Sequence, residues 1–320
     1  MRQLPAELWM QIAELVIDED AVAFPAYHVI TRTLLALSTL NQAASETARR
    51  LLLEHCLYID RAWRLDSLNR CLEASPRTRA GNIQKLSLSP FPPHTMNKPS
   101  VVEGIHTLLT KIGSSLRKVV VDIPFRYCRP YDDVEAEGLY QILRDAFARL
   151  ENVEEVVSVN DELFLDERFE GDIQNLPWFQ WPKLRFLGLY NLDIGRPAIL
   201  EAITTRLPLL KILVLARADS LEYGIQELYR GMGAPLDVHL VNTPFGHDMA
   251  LAPGREAFQR CLEPSRETLD VRGQSCRMVR FRRVDVDADV PAASTWDYDP
   301  ISSCQNFLLA EGIRRTLWQL

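Results

Sequence analysis

Five short runs with the form L-x-x-L-x-L, or close variants of it, recur between Ile83 and Leu215. They are IQKLSL (Ile83–Leu88), LRKVVV (Leu116–Val121), VEEVVS (Val153–Ser158), LRFLGL (Leu184–Leu189) and LKILVL (Leu210–Leu215). LDVHLV (Leu236–Val241) is a weaker sixth. The last positions of the five lie 33, 37, 31 and 26 residues apart. Between the runs stand segments with helical spacing: VVEGIHTLLTKIG, VEAEGLYQILRDAFARL, PAILEAITTRL and LEYGIQELYRGM. One strand with one helix cannot bury its own apolar face, but stacking such units side by side does so. The pattern predicts an α/β chain with a curved parallel sheet, backed by helices and with loops along its rim.

The shorter spacings fall in the range of leucine-rich repeats. A regular array would also end each turn on Asn or Cys. Only Asn191 and Asn242 follow strands in that way, so the array is irregular. The competing reading is an ordinary α/β sheet whose strands share the motif. From about Phe245 to Leu320 no clear repeat is visible. There RMVRFRRV (Arg277–Val284) alternates as a strand with a charged outer face would. A closing helix with Phe307, Leu308, Ile313 and Leu317 is expected to dock on the array and cap its open end.

The first section, to about Asp60, reads as three short helices. In LPAELWMQIAELV, Leu4, Leu8, Ile12 and Leu15 share one face, which Pro5, Trp9 and Val16 widen to an arc of about 140° at roughly 100° per residue. A helix lying only on its own core needs a narrower stripe, so something must cover the rest. Leu34, Leu37 and Leu40 form the next apolar face, and Ala44, Ala48, Leu51 and Leu52 the one after.

Composition removes several classes of function. A net charge of −7 argues against a nucleic-acid partner engaged by overall charge. Six scattered cysteines without a C-x-x-C pair suit a reducing compartment, cytoplasmic or nuclear. No run of about 18 apolar residues exists to span a membrane, and Glu7 and Glu14 interrupt any signal-peptide core. Asp285, Asp287 and Asp289 match the first ligand spacings of a calcium loop, but Val290 and Trp296 occupy its glycine and glutamate positions. His247 beside Asp248 lacks a partner nucleophile. His55 beside Cys56 reads as a packed pair on a helix end. Gly231 and Gly233 lack the lysine of a phosphate loop. No catalytic residue, metal or cofactor is expected.

LPAELWMQIAELV followed by LLALSTLNQAASETARRLLLEHCLYID resembles the F-box domain, especially in its fungal form. The resemblance rests on the Leu-Pro opening, the Glu7–Leu8 pair, Ile12 one turn on, a Leu-rich second helix and a third helix running into a short strand. It covers about Leu4 to Ile59. The sequence departs from the family in having Ala43 or Ala44 where an aromatic residue is usual, and in a longer loop from Glu19 to Tyr27. The resemblance implies docking to the Skp-type adaptor of a cullin RING ubiquitin ligase, with a repeat domain behind it as substrate receptor. By position, Leu4, Pro5, Leu8 and Ile12 would line the adaptor groove, joined by Leu34, Leu35, Leu37 and Leu40. Some of these must instead hold the helices together.

The expected organisation is an F-box-like bundle over residues 1–60, a helical connector over 61–82, a repeat-like domain over 83–245 and a capping extension over 246–320. Tyr190, Asn191, Arg217, Asp219 and Asn242, after their strands, are where such an array would meet a target protein. The alternatives are a repeat scaffold without a ubiquitin link, its first helices serving as a cap, and an enzyme built around His247.

Overall fold

The computed structural model describes residues 5–17, 20–74, 80–91, 98–125, 138–165, 176–219, 235–242, 279–286 and 300–320. Three helices come first: α1 (Ala6–Leu15), α2 (Val29–Leu37) and α3 (Gln42–His55). The Asn41 side chain caps α3 by accepting from the Ala44 amide at 3.0 Å. Ala13, Ile30, Leu34, Leu37, Ala48 and Leu51 form a small core of their own, with Trp9 and Val16 packed against it.

Among the described residues eight parallel strands follow, each hydrogen-bonded to its neighbours in chain order. They are β1 (Tyr58–Ile59), β2 (Lys85–Leu88), β3 (Lys118–Val121), β4 (Glu155–Ser158), β5 (Phe186–Tyr190), β6 (Ile212–Ala216), β7 (Leu236–Asn242) and β8 (Val279–Asp285). The crossovers among the described residues carry α4 (Ala62–Ala74), α5 (Pro99–Ile112), α6 (Leu139–Phe147) and α7 (Pro197–Arg206). Proline opens α5 and α7, where a missing amide proton costs nothing. Between β4 and β5 the described residues include a short 3₁₀ turn (Pro177–Gln180). It is pinned by two buried indoles: Trp178 Nε1 donates to the Glu162 carbonyl at 2.9 Å and Trp181 Nε1 to that of Phe147 at 3.0 Å.

The repeated apolar positions set the larger core. Leu86, Leu88, Val119, Val121, Val156, Leu187, Leu189, Leu213 and Leu215 join Leu65, Ile105, Leu108, Leu143 and Ile203 of the helices in one cluster. The helix-bearing face of the sheet is therefore the one the L-x-x-L-x-L pattern marks. The α/β architecture with an open parallel sheet is compatible with a solenoid-like fold.

Several expectations change. The sheet begins at Tyr58 rather than Ile83, since Tyr58 and Ile59 pair with Ser87 and Leu88. The stretch read as a connector supplies α4, whose Leu65, Leu68 and Leu72 are part of the large core. β8 extends the sheet beyond the expected boundary at 245, pairing in register with β7 from Leu236↔Val279 to Asn242↔Asp285.

The last helix, α8 (Pro300–Arg314), does not cap an open end. With the turn Thr316–Gln319 it lies across the opposite face of the sheet, over β3 to β6. The reason lies between the repeated leucines. Val120, Val157 and Val214 point away from the backing helices and are fully buried, in a second cluster with Cys304, Leu308 and Leu317. A sheet apolar on both faces needs a layer on both. The approach is close enough to require two glycines. A Cβ on Gly312 would stand 3.1 Å from Val157 Cγ2, and one on Gly188 would stand 3.2 Å from Leu317 Cδ2.

Candidate interaction surfaces

The broad apolar arc of α1 divides in two. Ala13 is fully buried, with Trp9, Val16 and Ile17 against the same small core. Leu8 (43% exposed), Ile12 (40%) and Leu15 (80%) remain in solvent. On α2 the division falls between adjacent residues. Leu34 and Leu37 are buried and hold the three helices together, which removes them from the expected adaptor-binding set. Leu35 (49%) and, just past the helix, Leu40 (55%) are exposed. Pro5 is exposed as well, and Leu4 lies outside the described residues. Covering side chains that are about half exposed is worth roughly 1 kcal/mol each. Exposed apolar side chains of this kind suit an interface. Arg50 of α3 pairs with Glu14 of α1 and, at 2.8 Å, with Glu54.

The longer loop between α1 and α2 buries Ala21 and Phe24 in the core of the helical bundle and, between them, reaches the sheet face that α8 covers. Val22 joins the apolar cluster beneath α8, and its amide donates to the Ile313 carbonyl at 2.7 Å. Lys85 Nζ donates to the Ala21 carbonyl at 3.0 Å, and the Phe24 amide to the His55 carbonyl at 2.8 Å. Asp20 receives Lys85 at 2.8 Å, Lys118 at 3.4 Å and the guanidinium of Arg315. Arg315 also grips Glu155 with two bonds, at 2.8 and 2.6 Å, and Trp318 Nε1 donates to the same carboxylate at 3.2 Å. Two acids and three bases from the loop, the sheet and the residues after α8 thus meet at one corner.

The electrostatics follow. Partial burial alone would raise the Asp20 carboxyl, but the Lys85 hydrogen bond and the charges of Lys85, Lys118 and Arg315 outweigh it and bring it to about 2. The Glu155 hydrogen bond raises Arg315 above its ordinary value. Burial lowers Lys118, the Glu155 charge notwithstanding.

The five residues proposed from the sequence as target contacts lie at the ends of neighbouring strands and differ in exposure. Tyr190 is buried (5% exposed) in the cluster under α8, with its hydroxyl 3.2 Å from a guanidinium nitrogen of Arg217. Asn191 and Arg217 take left-handed backbone conformations (φ 58° and 48°) where the chain turns out of β5 and β6. Their amides continue the sheet ladder to the Ala216 and Val241 carbonyls. These two act first as strand-ending residues. Asp219 is exposed beside an isolated bridge to Asp193. Asn242 ends β7, and its side chain lies outside the described residues.

His55 and Cys56 show the reverse of an activated nucleophile–base pair. Burial lowers the imidazole to about 4 and raises the thiol to about 11. Among the described residues no group of three His, Cys, Asp or Glu is placed to hold a metal ion, and no helix is long and apolar enough to cross a membrane. Asp287, Asp289, Val290 and Trp296 of the calcium-like spacing, His247 with Asp248, and Gly231 with Gly233 lie outside the described residues.

Sequence reasoning missed Asp20, Glu155 and Arg315, the residues that fix loop and helix to the sheet. Isolated charges give no signal of partners that far apart. The valines between the repeated apolar positions, in VVV, VVS and LVL, are a signal that could have shown a second covered face. No family model matches the chain, and neither a curated protein nor a solved structure is significantly similar to it.

Proposed function

We propose that the chain is the substrate-receptor subunit of a cullin RING ubiquitin ligase, docking to the Skp-type adaptor through its first helices. The observation that carries this reading is the set of solvent-facing apolar residues Leu8 and Ile12 on α1, Leu35 on α2 and Leu40 just after it, beside buried neighbours that hold the bundle. Their positions are those the F-box resemblance marks for the adaptor groove. The chemistry of ubiquitin transfer then lies in other subunits. This chain raises the effective concentration of a bound target near the conjugating enzyme by holding adaptor and target on one body. The leucine-rich-repeat-like array is the part assigned to the target.

Co-purification with the Skp-type adaptor tests the proposal. Wild type is expected to retain it. Leu8→Arg and Leu35→Arg are expected to lose about 2 kcal/mol or more of binding, roughly a 30-fold drop in affinity, with little change in melting temperature. Leu34→Ala is the contrasting variant, since it removes buried core and should cost about 2–5 kcal/mol of stability. Folded wild type that ignores the adaptor would sink the proposal. The scaffold reading would then take its place. The seating of residues 20–24 on the sheet favours that second reading, because it binds the first helices to the array as a cap would be bound.

A further inference from the structure

The chain carries a net charge of −7, yet the rim where its crossovers turn back into β3 to β6 is basic. Residues 113–117, 148–154, 181–185 and 206–211 hold the cations Arg117, Arg149, Lys183, Arg185, Arg206 and Lys211 against only Glu151 and Glu154. The sheet sets four of these side by side. The Glu154 amide donates to the Arg117 carbonyl at 2.8 Å, that of Arg185 to Glu154 at 2.9 Å and that of Lys211 to Arg185 at 2.8 Å. Arg117, Glu154, Arg185 and Lys211 thus make one row across four strands. We propose that this row, with the cations flanking it, binds an acidic segment of a partner protein.

The fold accounts for only part of this charge. Cations near helix C-termini complement the helix dipole, which covers Arg206 at the end of α7 and Arg149 just past α6. Lys183 and Arg185 follow a short 3₁₀ turn instead, and Lys211 stands directly beside Arg185, where like charges repel. Nor does the local acid cancel them. Glu154 lies 3.6 Å from Arg117 and 3.9 Å from Arg185, one carboxylate shared between two guanidinium groups. Arg149, Lys183, Arg206 and Lys211 are exposed and, among the described residues, form no ion pair.

The cations are also held in place, so less freedom is lost on binding. Arg117 donates to the Asn152 carbonyl at 3.1 Å, Lys183 to Asn152 Oδ1 at 2.6 Å, and the Arg185 guanidinium lies 5.6 Å from the centre of the Phe186 ring. Leu209, half exposed between Arg206 and Lys211, adds an apolar foothold. Carboxylates fit the guanidinium fork. The rest of the molecule decides among polyanions. A nucleic acid or an anionic membrane extends past the rim and meets the acidic remainder of the chain, whereas a short acidic segment lies on the rim alone.

Fluorescence anisotropy with the full chain and a labelled peptide of alternating Glu and Gly tests the proposal. Wild type should bind the peptide, and less tightly as salt is raised. Arg185→Glu/Lys211→Glu protein should bind it about tenfold or more weakly. Lys98→Glu/Arg196→Glu protein carries the same change in net charge at the opposite ends of α5 and α7, and should bind as wild type does. Lys183→Glu, an exposed single change, should weaken binding severalfold, and it decides the matter if the first double variant melts early. Equal binding of a Gln-Gly peptide, equal losses in the two double variants, or tighter binding of single-stranded DNA than of the peptide would overturn the proposal. No adaptor enters the experiment, so its failure and that of the ubiquitin reading are told apart.

Discussion

His55 shows how one half-buried side chain makes the whole fold sensitive to pH. Its imidazole sits at the end of α3 beside the loop that crosses to the sheet, and its Nδ1 is buried without a partner. Burial, with a smaller contribution from the Lys85 charge, lowers its pKa from 6.5 to about 4. An unfolded chain therefore takes up a proton through this range while the folded chain does not. The His55 contribution is intact above about pH 6.5 and is lost as pH falls through 4. His239, lowered mainly by burial, works in the same direction. Asp20 acts below that window, its contribution present above about pH 4 and lost toward 2. Urea midpoints measured from pH 7 to pH 4 should fall, and His55→Asn should flatten part of that slope. An unchanged slope in the variant would show that His55 is not held neutral by burial.

At the scale of the element, the crossovers pack tightly enough that individual glycines decide whether neighbouring units fit. A Cβ on Gly113, just after α5, would stand 2.8 Å from Arg149 Cβ and 2.9 Å from the Arg149 carbonyl oxygen. Gly81 has nothing within 4 Å of its virtual Cβ. Gly113→Ala is expected to destabilise by about 1–3 kcal/mol through overpacking against backbone. Gly81→Ala should be neutral or stabilise by up to about 1 kcal/mol by restricting the unfolded chain. Paired denaturant titrations give both values, and equal effects would contradict the packing argument.

The same scale explains how far the elements could be read in advance. The strands and three of the four expected backing helices were legible because leucines at helical and strand spacing leave only one economical way to be buried. The fourth segment, LEYGIQELYRGM, lies outside the described residues. The adjacent residues Leu34 and Leu35 were not separable, since both suit an apolar stripe and only the packed positions of Ala48 and Leu51 decide which turns inward. The seat of α8 was partly legible, in the valines between the leucines, but a motif that treats those positions as variable passes over them.

For the molecule as a whole, the corner of Asp20, Lys85, Lys118, Glu155 and Arg315 unites segments some 295 positions apart in sequence. Glu155 is buried, and Arg315 meets it with two nitrogens from a left-handed backbone position (φ 63°). Removing that guanidinium leaves a buried carboxylate short of its main partner, a change that costs about 3–5 kcal/mol in comparable sites. Arg315→Ala should therefore destabilise strongly. Asp20→Asn should cost about 1 kcal/mol or less, because that side chain is mostly in water. A double-mutant cycle on thermal or urea unfolding should return a coupling between the two, and strict additivity would mean that the corner is not one network. None of this was legible in the sequence, because no local pattern tells which acid will meet which base.

The order in which the chain is synthesised gives the placement of α8 a further consequence. Val120 leaves the ribosome 188 residues before Leu308, the residue that covers its cluster. At about 5–20 residues per second, this amounts to roughly 10–40 s during which strands already formed carry an apolar face with nothing to lie on it. Synthesis is thus the stage at which the protein has most need of a chaperone.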